Sequence, residues 1–116
     1  MKTIYYVNWI KLKDEAALEA IKTLSSKQPQ LIFKHSTRCS VSSMIKNRLE
    51  KAQAPEELSF HFLDLIAYRS LSDKIAAEFF VEHQSPQVLL IKNGECLYDE
   101  SHNGILMDEI IEKADL

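Results

Sequence analysis

Apolar residues recur along the chain with two different spacings, which predict the helices and the strands. Residues 13–25, 40–52, about 70–82 and about 104 onward place apolar side chains three to four positions apart, the period of an amphipathic helix. The third of these helices is expected to bury Phe79 and Phe80. Residues 31–33 and 58–66 are short and largely apolar, which is typical of strands with one or both faces covered.

A hairpin follows the third helix, because "QVLLIKNGECLYDE" reads as two extended runs joined by Asn93-Gly94. "YVNWIKL", near the start of the chain, is a further candidate strand. Strand-helix-strand units give parallel neighbours, and the hairpin adds an antiparallel edge. The order therefore predicts an α/β protein with a thioredoxin-like fold: a four- or five-stranded mixed sheet with helices on both faces, in one domain spanning residues 1–116.

Composition excludes several classes of function. The 14 Lys and Arg are dispersed among 17 Asp and Glu, with a net charge of −3, so no basic stripe for nucleic acid is present. No apolar segment approaches the ~20 residues of a membrane span, and the first residues lack a signal-peptide pattern. We expect a cytoplasmic protein without membrane or nucleic-acid partners. Its two cysteines make no disulfide framework, so their chemistry would be that of free thiols.

Cys39 stands where "LIFKHSTRCSVS" passes from a strand into a helix. Open α/β sheets place their sites at this end of a strand, and the N–H groups and dipole of a helix start favour a thiolate. Arg38 and Lys34 are expected to add positive charge. The pattern predicts an acidified, partly exposed nucleophile, although a buried and inert cysteine is the alternative.

Ser42 makes the motif C-x-x-S with Cys39. Its hydroxyl could bond the Cys39 thiolate but cannot form a disulfide with it, so the site would be monothiol. The second cysteine, Cys96, is expected opposite Ile91 beside the hairpin turn. That position is too far from Pro86 for attack, and Cys96 is interpreted as a packing residue.

Ser85 and Pro86 directly precede the first hairpin strand, where thioredoxin-like proteins carry a cis-proline against the reactive cysteine. The backbone of Ser85 could then pair with an extended substrate. The alternative is a trans proline that merely begins the strand. His102 is delivered to the same rim by the returning strand and could bond the thiolate or a substrate carboxylate, unless it only caps the following helix.

The other histidines have structural interpretations. His35 could orient the loop before Cys39, or its position at the end of a strand could serve a purely structural hydrogen bond. His61 is expected to be a satisfied core or edge histidine. His83 is expected to end the third helix. No Cys and His show metal-ligand spacing, so neither a metal nor a bound cofactor is predicted.

The segments "FKHSTRCSVS" and "HQSPQVLLIKNGECLYDESHNGI" resemble the YtxJ-like bacilliredoxin family, monothiol thioredoxin-fold proteins that use bacillithiol. The resemblance implies that Cys39 removes bacillithiol, as a co-substrate, from mixed disulfides on client proteins, and that the Pro86 loop positions the substrate. We expect a monomer. The residues expected to bind substrate are Arg38, Ser40, Ser42, Ser85, Pro86 and His102.

Two other classes of function stay open from the sequence. Monothiol glutaredoxins, which carry iron–sulfur clusters, also lack the second cysteine, but the glycine and phenylalanine of their C-G-F-S motif are Ser40 and Val41 here. A thioredoxin-like interaction module, in which Cys39 is incidental, would bind a partner through an apolar rim around Val41 and Pro86.

Overall fold

Strands and helices alternate along most of residues 3–116, which are the residues that this computed structural model describes, and two strands follow each other near the end. In chain order the elements are β1 (Trp9–Lys11), α1 (Glu15–Leu24), β2 (Gln30–His35), α2 (Ser40–Lys51), β3 (Ser59–Asp64), α3 (Arg69–Phe79), β4 (Gln87–Lys92), β5 (Glu95–Ser101), a short 3-10 turn (His102–Gly104) and α4 (Met107–Lys113).

The strands form one mixed sheet of five, in the order β1-β3-β2-β4-β5. The neighbours β1, β3 and β2 run parallel, whereas β4 is antiparallel to β2 and β5 to β4. The prediction of a mixed sheet is confirmed, and the count is the larger of the two expected. The carboxyl ends of the three parallel strands consequently lie together at one end of the sheet, where the turn that carries Cys39 follows β2.

Helices cover both faces of the sheet. Leu31 and Phe33 of β2 pack into a cluster with α2 and α4, and Ile32 between them packs into a second cluster with α1 and α3. This alternation follows the two-residue period of a strand. Every residue of β2 is buried as a result, including its polar ones.

None of the helices formed by residues 3–116 combines the length and apolar character that a membrane span requires.

The hairpin turn has the conformation that Asn93-Gly94 predicts. Both residues have positive φ, 53° and 76°, as a two-residue type I′ turn requires. The backbone N–H of Asn93 donates to the carbonyl of Ser25 at 3.0 Å, and that of Gly94 donates to its hydroxyl at 2.9 Å. The turn is therefore fastened to the end of α1.

β5 is one of the two edge strands, and its pairing with β4 is interrupted. Leu90 faces Tyr98 and Ile91 faces Cys96, so Leu97 is an extra residue, a β-bulge, and its side chain is exposed. The predicted pairing of Cys96 with Ile91 is confirmed. Glu95 and Asp99 on the same strand are also exposed.

Two helix boundaries differ from the sequence prediction. α3 ends at Phe79 because Phe80 adopts the left-handed conformation with φ 57°, which terminates a helix. This conformation turns the Phe80 side chain outward, 95% exposed, so the prediction that it is buried was wrong. α4 begins at Met107, later than expected, because residues 102–104 form the 3-10 turn.

His61 is a core histidine, as the sequence suggested. It is 6% exposed, and its Nε2 lies 2.7 Å from Oε1 of Gln30 on the neighbouring strand. Burial lowers the pKa of His61 to about 4, so the folded protein holds this imidazole neutral in mildly acidic solution.

This lowered pKa predicts sensitivity to acid. Between pH 6.5 and about 4, the unfolded chain binds a proton at His61 that the folded protein does not. The free energy of unfolding therefore falls as the pH falls, by up to about 3 kcal/mol from this residue. Urea unfolding of wild type and His61→Leu from pH 8 to pH 4 should show a shallower decline in the variant. Parallel declines would contradict the prediction.

Candidate active site

Cys39 is the residue at which the turn after β2 becomes helix α2. Its backbone is extended, with φ −113° and ψ 118°, and it occupies the N-cap position. Its N–H donates to the Ser36 carbonyl at 3.2 Å, and its own carbonyl accepts from the Ser43 N–H at 3.1 Å. The thiol is partly exposed. It therefore stands at a helix end where the N–H groups of the first turn have no helical acceptors.

Ser42 supports this turn from beneath. Its hydroxyl accepts the Ser36 N–H at 3.0 Å and lies 2.7 Å from Nδ1 of His35, and the residue is fully buried. The expectation that the hydroxyl bonds the Cys39 thiolate is corrected: within residues 3–116 its partners are His35 and Ser36. The serine of the C-x-x-S motif thus fixes the turn that presents the cysteine.

His35, the last residue of β2, also supports the turn that carries Cys39. It is buried, its ring centroid lies 5.3 Å from that of Phe62, and its carbonyl accepts the Leu65 N–H at 3.0 Å. Burial lowers the pKa of His35, and the positive charge of Lys46 acts in the same direction. A neutral, immobilised imidazole therefore orients the turn, as the sequence suggested.

The expectation that the Lys34 side chain lies on the same face as Cys39 and adds positive charge there is corrected. Strand alternation turns its side chain to the opposite face of the sheet, where its Nζ donates to the Ser72 carbonyl at 3.0 Å. The same Nζ lies 3.2 Å from Nδ1 of His83. His83 lies in the loop after α3, beyond the helix that it was expected to end. Arg38, which is exposed immediately before Cys39, is the remaining cation of the two predicted.

The loop containing Pro86 lies at the end of the sheet where β2 ends and Cys39 follows. The Ser85–Pro86 peptide bond is cis. Gln87 pairs with Lys34, so the antiparallel register places Pro86 beside His35, at the base of the Cys39 turn. Ser85 is half-buried, and among the described residues its buried Oγ has no hydrogen-bond partner.

His102 is joined to this loop through the backbone. Its N–H donates to the Pro86 carbonyl at 3.0 Å. Its backbone has a positive φ of 57°, and its side chain is exposed. The structure therefore brings the predicted residues Ser85, Pro86 and His102 together at the end of β2 from which Cys39 follows. Ser40 is exposed at the first position of α2.

Arg48 is a supporting residue that the sequence did not reveal. Its guanidinium donates to the carbonyls of Asn103 and Ile105 at 3.1 and 3.0 Å, which fastens α2 to the turn containing His102. The helical period carried no signal for these partners, which lie 55 and 57 positions further along the chain.

Cys96 lies in a different environment from Cys39. It is half-buried, packs against the cluster under α1 and α3, and its Sγ donates to the Tyr98 carbonyl at 3.3 Å. Burial raises the pKa of this thiol. These contacts are those of a packing residue. Within residues 3–116, no three His, Cys, Asp or Glu residues are grouped as a metal site would require.

Comparison with solved structures defines the class of protein. The chain is 25% identical to a protein described as a proposed oxidoreductase with a thioredoxin fold, with a TM-score of 0.77 and coverage of 90% of this chain and 92% of the other. It is 13% identical to Malassezia sympodialis thioredoxin, with a TM-score of 0.76 and coverage of 98% and 96%. For spinach chloroplast thioredoxin f the values are 12%, 0.70, 99% and 96%. The predicted thioredoxin-like fold is confirmed.

The family follows from a second comparison. The model of the family described as monothiol bacilliredoxin BrxC matches residues 10–110. The chain therefore belongs to the monothiol bacilliredoxin family, and its function is thiol redox chemistry. The resemblance seen in the sequence is confirmed at the level of the family.

The contacts of Ser42 generate a stability prediction. Ser42→Ala leaves the buried Ser36 N–H without its acceptor, so the free energy of unfolding should fall by about 1–3 kcal/mol. Ser43→Ala, one position along the same helix and exposed, is the matched control and should stay within about 0.5 kcal/mol of wild type. Urea denaturation measures both. Equal effects of the two substitutions would contradict the role assigned to Ser42.

Proposed function

We propose that the protein removes bacillithiol from mixed disulfides on client proteins, with Cys39 as the nucleophile. The observation that supports this most directly is the pairing of a partly exposed N-cap cysteine with a buried serine at the C-x-x-S position. The serine cannot form a disulfide with the cysteine. The small thiol that Cys39 accepts would therefore stay on Cys39 until another thiol takes it.

The proposed step is one thiol–disulfide exchange. The Cys39 thiolate attacks the bacillithiol sulfur of the mixed disulfide, a new S–S bond joins Cys39 to bacillithiol, and the client sulfur leaves as a thiolate. The client is reduced and Cys39 becomes the oxidised carrier. A second small thiol, or a separate reductase, supplies the electrons that return Cys39 to the free thiol. We place this cycle in the cytoplasm, on a monomeric protein.

Client binding is assigned to the residues around Cys39. Ser85 precedes the first residue of β4 by two positions, so its backbone can pair with an extended client segment as an added strand does. The Oγ of Ser85 is buried, so the contact with the client segment is assigned to the Ser85 backbone. Arg38, Ser40 and His102 are exposed around the thiol and would contact the carboxylates and polar groups of the small thiol.

Intact mass after mixing with a bacillithiolated model protein tests the proposal. Wild type should gain one bacillithiol adduct and release the reduced model protein, because Cys39 can accept but not resolve the disulfide. Cys39→Ser should gain none, while Cys96→Ser, the matched control at the packing cysteine, should behave as wild type.

A glutathionylated version of the same model protein distinguishes the small thiols. Faster adduct formation from the bacillithiolated form is expected. Absence of any adduct, from either form, would leave a thioredoxin-like interaction module as the better account.

His102 provides a test of the binding rim. With excess free bacillithiol present to regenerate Cys39, His102→Ala should raise the KM for the bacillithiolated protein several-fold, since a lost hydrogen bond to substrate costs about 1 kcal/mol. His102→Asn retains a polar side chain that tolerates positive φ and should lose less. An unchanged KM in both variants would assign His102 to the helix-capping role instead.

A further inference from the structure

Lys34 is a buried cation for which the proposed reaction has no direct use. Its side chain is 0% exposed, and in the part of the chain that the structure describes no carboxylate forms an ion pair with it. Burial lowers the pKa of Lys34 to about 8, while the nearby charge of Asp73 opposes this shift. Keeping an ammonium group in such a place costs stability.

The partners of Lys34 belong to the loop that leads to Pro86. Its Nζ lies 3.2 Å from Nδ1 of His83 and donates to the Ser72 carbonyl at 3.0 Å. The Ser72 hydroxyl is 3.3 Å from the same Nδ1. His83 is therefore held between β2 and α3.

Gln87 completes this anchorage from the neighbouring strand. It pairs with Lys34 across β2 and β4 and is also buried. Its Nε2 donates to the Glu82 carbonyl at 2.9 Å, and its Oε1 faces the Gln84 N–H at 3.4 Å. Two cross-strand neighbours thus hold residues 82, 83 and 84, which directly precede Ser85.

We propose that Lys34 is a positioning residue for client binding. It acts by fixing, through His83, the loop that places Ser85 and Pro86 at the base of the turn carrying Cys39. The inference rests on the proposed function and extends it to the opposite face of the sheet. Because the side chains of Lys34 and His35 alternate across β2, Lys34 does not share the face on which His35 and Ser42 support the cysteine turn. Its effect on the reaction is therefore transmitted by the loop.

The role predicts a separation between large and small substrates. Lys34→Met keeps an unbranched side chain but removes the donors, so the KM for a bacillithiolated model protein should rise roughly tenfold, the equivalent of one hydrogen bond in the docked complex. Hydroxyethyl disulfide is a small disulfide without a peptide chain that could bind beside Ser85. The rate at which Cys39 reacts with it should change less than about twofold. Alkylation of Cys39 by iodoacetamide should be unchanged.

His83 supplies an independent pair of variants, which also covers the case that Lys34→Met does not fold. His83→Leu removes the acceptor for Lys34 and should reproduce the loss for the protein substrate. His83→Asn restores an acceptor near the position of Nδ1 and should recover most of the wild-type KM. A structural defect alone would not be rescued in this substrate-dependent way.

The two ways of failing are distinguishable. Equal losses on protein substrate and hydroxyethyl disulfide, or no loss on either, would overturn the role of Lys34. A wild-type protein that forms no adduct with bacillithiolated protein would instead overturn the proposed function. If the glutathionylated protein does form an adduct, the same comparison with that substrate still tests the loop. An adduct with neither protein would overturn both proposals.

Discussion

The central strand β2 is buried along its whole length, and this constraint determines how the site is built. Polar groups removed from water must find hydrogen-bond partners inside the protein. Gln30 makes a hydrogen bond with His61, Lys34 with His83 in the loop before Pro86, and His35 with Ser42. The hydrogen bonds of Lys34 and His35, at the end of the strand, thus fix both the loop before Pro86 and the turn that carries Cys39.

The role of Ser42 changes the meaning of the C-x-x-S motif in this protein. A serine at this position removes the possibility of an internal disulfide with Cys39. The structure adds that its hydroxyl occupies the space under the turn and bonds Ser36 and His35. One residue therefore makes the site monothiol and also holds the Cys39 turn in place.

The sequence predicted those features whose causes are local. Asn93-Gly94 specifies its turn through its own backbone, and apolar periodicity gave the strands, the helices and the position of Cys39 between them. The sequence could not identify the hydrogen-bond partners of Lys34, which lie 38 and 49 positions away along the chain. The left-handed conformation of Phe80 was missed for another reason, since nothing in an aromatic residue predicts positive φ.

The bulge in β5 has a consequence for unwanted self-association. A protein whose proposed work is to accept an extended chain at Ser85 risks accepting others along its open sheet edges. At β5 the ladder is broken at Leu97, and the charges of Glu95 and Asp99 repel a second copy of the same strand. At the other edge β1 is only three residues long. Under the proposed function, strand addition would therefore be disfavoured along β1 and β5 and left to the backbone of Ser85, near Cys39.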